Sequence, residues 1–386
     1  MKTNSLKLES KVVYFLLAIF PIMSLYGFLP LLSIGYLIIL LLIIVNWVTR
    51  KFIITINLKL LITMSILMII NTVVGISKYA DVTNTLNNTA GMLVFSFIAI
   101  HICASSKINL MRLYNACKIV ALAATFFLFI QFIFYYYSGT VIMGNIPFLT
   151  PIESGFKSIT YGRATSFFYE PAHYSIYIAP VYAMSIIRKE FVTSFLLAAG
   201  LVLSTSSTGI IMAIIIPVII LTKSKRFLIN SIVTILVGGI ILLGIDKYYS
   251  EFYEKVSFDA LASNIRIFGT LDYFKHYSSS DWLFGIGLNR LKEFLLNHGY
   301  GYSLSENYAS AYIFSFLSFG IIGGLIWLVY TVSLYRNILK RYKVIFWILI
   351  IVSFTDQILF NRNLLYLLLW IYAVSSSKIA DKRYIN

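Results

Sequence analysis

The sequence predicts an all-α polytopic membrane protein with about twelve transmembrane helices. Three observations predict it. The 386-residue chain is 59% hydrophobic and 12% charged, with a mean hydropathy of +0.86, whereas soluble domains carry about a quarter charged residues. Apolar runs of about 18 or more residues recur along it, each able to cross a ~30 Å hydrocarbon core as a helix whose backbone groups are bonded internally. The basic residues sit in short clusters between these runs and form no continuous face, a pattern of membrane topology. The ~10-residue alternating segments of a β-barrel are missing.

The spans fall near 12–29, 31–48, 58–76, 89–104, 118–137, 171–187, 191–205, 207–222, 227–245, 309–331, 344–360 and 364–377. The first follows a basic start and has no small-residue cleavage site after it, which predicts an uncleaved anchor. The third to fifth are set off by the basic segments at Arg50–Lys59 and Lys107–Lys118 and by the polar stretch before residue 89. The sixth opens at Glu170-Pro171, an acidic N-cap with proline at the first helical position. The seventh and eighth share one apolar stretch interrupted by "LSTSSTG" at 203–209. One long tilted helix and two short ones both fit; cytoplasmic placement of both basic flanks requires two. The ninth follows Lys223, Lys225 and Arg226, and the tenth has Asn307 as a candidate cap.

An N-terminus on the cytoplasmic side puts roughly two thirds of the 31 Lys and Arg inside and most of the 15 Asp and Glu outside. Both termini are therefore expected in the cytoplasm of a bacterium, with the chain in its inner membrane. The net charge of +16 is then a product of topology, and no nucleic-acid partner is expected. Cys103 and Cys117 lie near one cytoplasmic loop and are expected as free thiols.

The chain reads as a single integral membrane domain, 1–386, with two large outer loops at 138–170 and 246–308. Loops beyond ~12–15 residues are usually functional or disordered. The second carries Phe258, Leu261, Ile265 and Phe268 at the spacing of an amphipathic helix lying on the membrane or the bundle. No soluble domain, internal repeat or low-complexity tract is visible, nor the hydropathy symmetry of an inverted-repeat transporter.

The first loop ends in "YGRATSFFYEPAHYS". Arg163 is permanently charged and offers a planar fork of donors to phosphate; its alternative role is an interfacial contact to headgroups. Glu170 either starts a helix or takes a proton from a sugar hydroxyl. His173 shares its helix face at i, i+3, and ionisable groups at the membrane edge point to function. Tyr169 and its aromatic neighbours can stack on sugars or anchor the interface. In the second loop Arg266 and Arg290 are candidate anion contacts, and Gly285-Ile-Gly287 reads as a tight turn re-entering the bundle, since a dinucleotide loop needs a third glycine. Glu306 and Asn307 stand before the tenth span as Glu170 stands before the sixth. Ser207 and its neighbours supply hydroxyls that bond across helices or to a ligand. Without a Walker motif or paired metal carboxylates, no cofactor and no metal is expected.

Three stretches resemble the O-antigen polymerase and ligase superfamily. "GRATSFFYEPAHYSIYIAP" is similar to the family's arginine followed by Glu-Pro and an apolar span. "LVLSTSSTGIIMAIIIPVII" is similar to its serine-rich break. "SNIRIFGTLDYFKHYSSSDWLFGIGLN" with "ENYASAYIFSFLSFGIIGGLIWL" resembles its second arginine, its Gly-x-Gly and its late Asn-led span. Together they cover residues 160 to 330. The resemblance implies a GT-C-like membrane glycosyltransferase, a polymerase joining undecaprenyl-pyrophosphate-linked repeat units into O-antigen or capsule on the outer face of the membrane. It implies roles for Arg163 and Arg266 at the pyrophosphate and leaves the general base open; the acceptor hydroxyl needs a base within hydrogen-bond reach, for which Glu170 is the first candidate and Glu306 the second. Ligases of the family have histidine where Glu306 stands, which favours a polymerase. It also implies a chain-length regulator as partner. A ligase, a flippase for lipid-linked oligosaccharide and a peptidoglycan-type polymerase are the alternatives.

Overall fold

In the computed structural model the described residues are 11–29, 32–49, 56–79, 81–104, 108–140, 142–152, 163–221, 269–299 and 309–383. They form helices α1 Lys11–Met23, α2 Ile34–Thr49, α3 Leu58–Lys78, α4 Val82–Ala104, α5 Leu110–Ser138, α6 Pro171–Ile187, α7 Phe191–Leu203, α8 Ser207–Leu221, α9 Ser279–Phe284, α10 Leu291–Asn297, α11 Ala311–Tyr335, α12 Lys343–Thr355 and α13 Arg362–Arg383. A short antiparallel hairpin, β1 Gly27–Leu29 and β2 Leu32–Ser33, joins α1 to α2. Among the described residues α3, α4, α5 and α11 are long and apolar enough to cross a membrane. The expected span at 227–245, the expected amphipathic helix through Phe268, and Arg266, Glu306 and Asn307 lie outside the described residues.

Capping moves several boundaries from where hydropathy puts them. The fifth span begins at Leu110 instead of 118, because the Asn109 side chain accepts from Met111 N and Arg112 N and lets the helix run past the basic residues; Gly139, left-handed at φ 68°, closes it. The fourth begins at Val82 instead of 89; its polar first turns, with Asn84 and Asn88, face the 288–297 segment. The first ends at Met23 instead of 29, where the chain turns into the hairpin. The tenth is capped by Ser310, whose hydroxyl accepts from Ile313 N, so the cap is not Asn307. The twelfth begins at Arg362 instead of 364.

Cross-helix hydrogen bonds fix the direction of each helix. Ser185 of α6 meets Ser194 of α7 at 2.8 Å, so these two are antiparallel about the 188–190 turn. A Cβ on Gly209 would lie 2.5 Å from both Leu201 O and Ser175 Oγ, so α8 comes back along α7 and beside α6. The 191–221 stretch is thus two helices joined by the 204–206 turn. Tyr366 Oη donates to Tyr177 O at 3.1 Å, placing α13 parallel to α6, and Ala311 N donates to Asp356 O at 3.1 Å, setting the start of α11 against the end of α12. One end of the bundle, the base, gathers Tyr14 with Asn109, Tyr114 with Glu190, and Asn57 with Tyr372. The other, the rim, gathers the hairpin, residues 142–152 and 163–170, the 204–206 turn and the 356–361 turn. Helix α6 is buried on all sides and forms the centre; its Tyr177 stacks on Tyr366 at 4.8 Å and 17°.

The described parts of the two long loops are fastened to the helices. In the first, Gln131 of α5 accepts from Ser166 N at 2.7 Å and donates to Ile142 O at 2.7 Å. Ser166, at φ 55° and 0% exposed, donates to Ala124 O at 2.6 Å, and Phe167 stacks flat on Phe127 at 4.6 Å. In the second, Ile286 N and Gly287 N donate at 3.0 and 2.9 Å to Leu317 O and Ser318 O. Those two carbonyls are freed by a kink in α11 at Gly320, φ 64° and ψ −168°, a conformation almost confined to glycine.

Candidate functional site at the rim

The sequence places two polar interruptions far apart, and the fold brings them together. Arg163 Nε donates to Thr205 Oγ1 at 3.0 Å and Arg163 Nη2 to Thr205 O at 2.7 Å. The first-loop arginine therefore sits on the serine- and threonine-rich break between α7 and α8. Thr205 is left-handed at φ 54°, a conformation that is a genuine outlier for a β-branched residue. The guanidinium fork holds that turn by both its hydroxyl and its carbonyl.

A line of hydroxyls links this arginine to the start of α6. Ser204 Oγ lies 3.2 Å from Ser175 Oγ. Two residues before Ser175 is His173, whose Nδ1 lies 3.5 Å from Arg362 Nη2 at the start of α13. Thr208 Oγ1 donates to Thr355 Oγ1 at 3.2 Å, which brings the end of α12, with the buried Asp356, to the same place. The first turns of α6, α8, α11 and α13 thus share one end of the bundle with Arg163, His173, Arg362, Glu170 and Asp356. Helix amino ends and cations both favour a negative charge.

Of the sequence-derived candidates, Arg163, Tyr169, Glu170, His173 and Ser207 are all at the rim. Glu170 occupies the N-cap position of α6 with Pro171 next to it, but its side chain makes no capping hydrogen bond. The carboxylate is therefore not used as a cap. Ser207 is the first residue of α8 and is exposed.

No family model matches this chain, and no curated protein matches it.

Arg290 belongs to a different neighbourhood. It is 1% exposed and bonds Glu293 at 2.6 Å, Asp81 O at 2.5 Å and Thr85 Oγ1 at 2.7 Å, with its guanidinium 4.5 Å from the Tyr79 ring centroid. It rivets the second loop to the α3–α4 turn. Lys78 pairs with Asp281 there. Partial burial raises the Asp281 carboxyl, but Lys78 and Ser278 outweigh it and hold the group below its usual range. Nearby, a recess of about 250 Å³ is lined by Asn84, Asn289, Lys292, Glu293, Leu296 and Asn297.

At the base, the Glu190 carboxyl stands at about 2. Burial raises it, and hydrogen bonds from Arg188, Tyr114 and Lys118 together bring it down. Cys103 and Cys117 are free and buried. Among the described residues, no group of three or more His, Cys, Asp or Glu could hold a metal ion.

Sequence reading missed Arg362, Thr355 and Asp356, and offered Thr205 only as one of the hydroxyls of the "LSTSSTG" break. The signal for Arg362 was available: a lone cation in the short "TDQILFNRN" segment between the last two expected spans, where the expected topology disfavours basic residues.

Proposed function

We propose that this chain is a membrane glycosyltransferase, a polymerase joining lipid-pyrophosphate-linked oligosaccharide units into a surface polysaccharide. In this reading it has twelve spans in a GT-C-like arrangement, lies in a bacterial inner membrane with both termini inside, and turns its rim outward. The observation that carries it is Arg163 seated on the Thr205 turn beside the first turn of α6. That arrangement fixes a cation in a partly dehydrated place, where a departing pyrophosphate needs charge stabilisation without reorganisation. Arg266 supplies the second cation, and Glu170, whose carboxylate is not used as a cap, accepts the proton of the attacking sugar hydroxyl. The glycosidic bond forms as the carbon–oxygen bond to the pyrophosphate breaks, so energy comes from the donor. A chain-length regulator is the expected protein partner.

The test is genetic. Delete the gene, complement with wild type, Arg163→Ala or Glu170→Gln, and resolve the surface glycan on a gel. A polymerase predicts single-repeat material in the null and in Arg163→Ala. Full-length chains from Arg163→Ala would refute the site. Loss of even single repeats in the null would favour a flippase or ligase.

A further inference from the structure

We propose that the recess between Asn84 and Asn289 is a subsite for one neutral sugar ring of the glycan substrate, gripped through a pair of adjacent hydroxyls. The inference rests on the polymerase reading and deepens it, by giving the glycan a place of its own.

Three asparagines set the chemistry of this recess. Asn88 Nδ2 donates to Leu288 O at 2.9 Å. A carbonyl oxygen can only accept, so the orientation of the Asn88 amide is fixed. The same nitrogen donates to Asn84 Oδ1 at 3.2 Å, and Asn88 Oδ1 accepts from Asn289 Nδ2 at 3.1 Å. Both ends of the Asn88 amide are thereby used. Asn84 is left presenting its Nδ2 donor and Asn289 its Oδ1 acceptor; neither atom has a hydrogen-bond partner among the described residues. The frame behind them is tied as firmly. Leu288 N donates to Asn71 Oδ1 at 2.7 Å, and Asn71 Nδ2 donates to Thr89 Oγ1 at 3.1 Å. Asn289 is left-handed at φ 55°, a conformation asparagine tolerates better than most side chains. Arg290, the next residue, bonds Asp81 O and Thr85 Oγ1, so the two walls of the recess are joined.

A donor and an acceptor fixed in one recess match a vicinal diol, whose hydroxyls each donate and accept. Groups held in place beforehand lose little freedom on binding, which suits an uncharged ligand. An ionised phosphate offers acceptors only and would meet the Glu293 carboxylate on the same wall. At about 250 Å³ the recess is smaller than the ~300–1,000 Å³ of sites for drug-sized ligands, the scale of one ring. Leu296, 37% exposed, gives its C–H face an apolar contact. The position agrees as well. Helix α3 starts at the base, where Asn57 meets Tyr372, so the α3–α4 turn and the recess lie at the opposite end, the one turned outward in the polymerase reading. The glycerol headgroup of phosphatidylglycerol carries the same diol without the ring.

The experiment uses the full chain in phosphatidylcholine nanodiscs. Saturation-transfer NMR titrates the methyl pyranosides of glucose, galactose, mannose and N-acetylglucosamine, with glycerol as the diol that has no ring. Thermal melting of each variant checks folding. At least one pyranoside should bind. Asn84→Leu leaves Asn88 its bond to Leu288 O, and Asn289→Gly keeps the left-handed backbone. Each should weaken that pyranoside about threefold to tenfold, the worth of one neutral hydrogen bond. Asn87→Leu, at the exposed neighbouring position outside the recess, should bind as wild type does. Four results would overturn the proposal: transfer to no pyranoside, wild-type affinity in folded Asn84→Leu or Asn289→Gly, an equal loss in Asn87→Leu, or glycerol bound as tightly as the best pyranoside, which would assign the diol to a lipid headgroup. If the variants lose the sugar as expected but wild type makes no polymer from lipid-linked units, the subsite stands and the polymerase reading falls. Polymer made by a chain that binds no pyranoside would do the reverse.

Discussion

Gly320→Ala should be among the most damaging single-methyl additions to the described fold. A Cβ at this position would run into the Leu283 carbonyl and lie 2.5 Å from Phe284 N. Those atoms are backbone and cannot swing aside. The φ of 64° with ψ of −168° adds strain of order 1–3 kcal/mol for any residue but glycine. Separating the segments also loses the bonds from Ile286 N and Gly287 N to Leu317 O and Ser318 O, at about 0.5–1.5 kcal/mol each. The sum is about 2–6 kcal/mol. Gly139→Ala is the matched control: it has φ 68° but nothing within 4 Å of a Cβ, so only the backbone term applies, about 1 kcal/mol. The two variants are compared by unfolding in mixed micelles, followed by tryptophan fluorescence. Equal losses, or a Gly320→Ala loss below about 1 kcal/mol, would refute the claim that the second loop is docked into the α11 kink.

Three further outcomes follow. Gln131→Leu leaves Ser166 N and Ile142 O without their partner, costing about 1–3 kcal/mol; proteolysis within 142–169 should speed up. The depressed Glu190 carboxyl stabilises the fold fully above its ordinary value of 4.5, and that contribution disappears as pH falls toward about 2; the melting gap between wild type and Glu190→Gln should therefore narrow from pH 6 to pH 3, and a constant gap would contradict the Arg188–Glu190–Lys118 cluster. Arg163→Lys keeps the charge but loses the two-pronged grip on Thr205; polymer yield should fall between those of wild type and Arg163→Ala.

Much of the bundle was legible from the apolar runs alone. The run from Pro171 to Ile187 is bounded by proline and by Arg188-Lys189, and its helix has those limits. The break at "LSTSSTG" was ambiguous because hydropathy does not distinguish a tilted helix from a hairpin. The close approach of Gly209 to Leu201 and Ser175 decides for the hairpin. Limits set by capping, as at Asn109 and Ser310, were less legible, because they depend on which of several polar residues turns inward. At the site, Arg163 and His173 stood out as rare charges in an apolar chain. Thr205 and Arg362 did not, because their meaning comes from partners 42 and 189 residues away. The structural role of Arg290 was hidden for the same reason: Asp81 and Thr85, which it bonds, belong to a turn about 200 residues earlier.

The most direct measurement of the central claim is polymerisation by the purified chain in proteoliposomes supplied with lipid-linked single repeat units. The account predicts a ladder of products, one lipid pyrophosphate released per bond formed, and loss of both in folded Arg163→Ala. Folded wild-type protein that releases no lipid pyrophosphate and extends no chain, or an Arg163→Ala ladder equal to wild type, would contradict it.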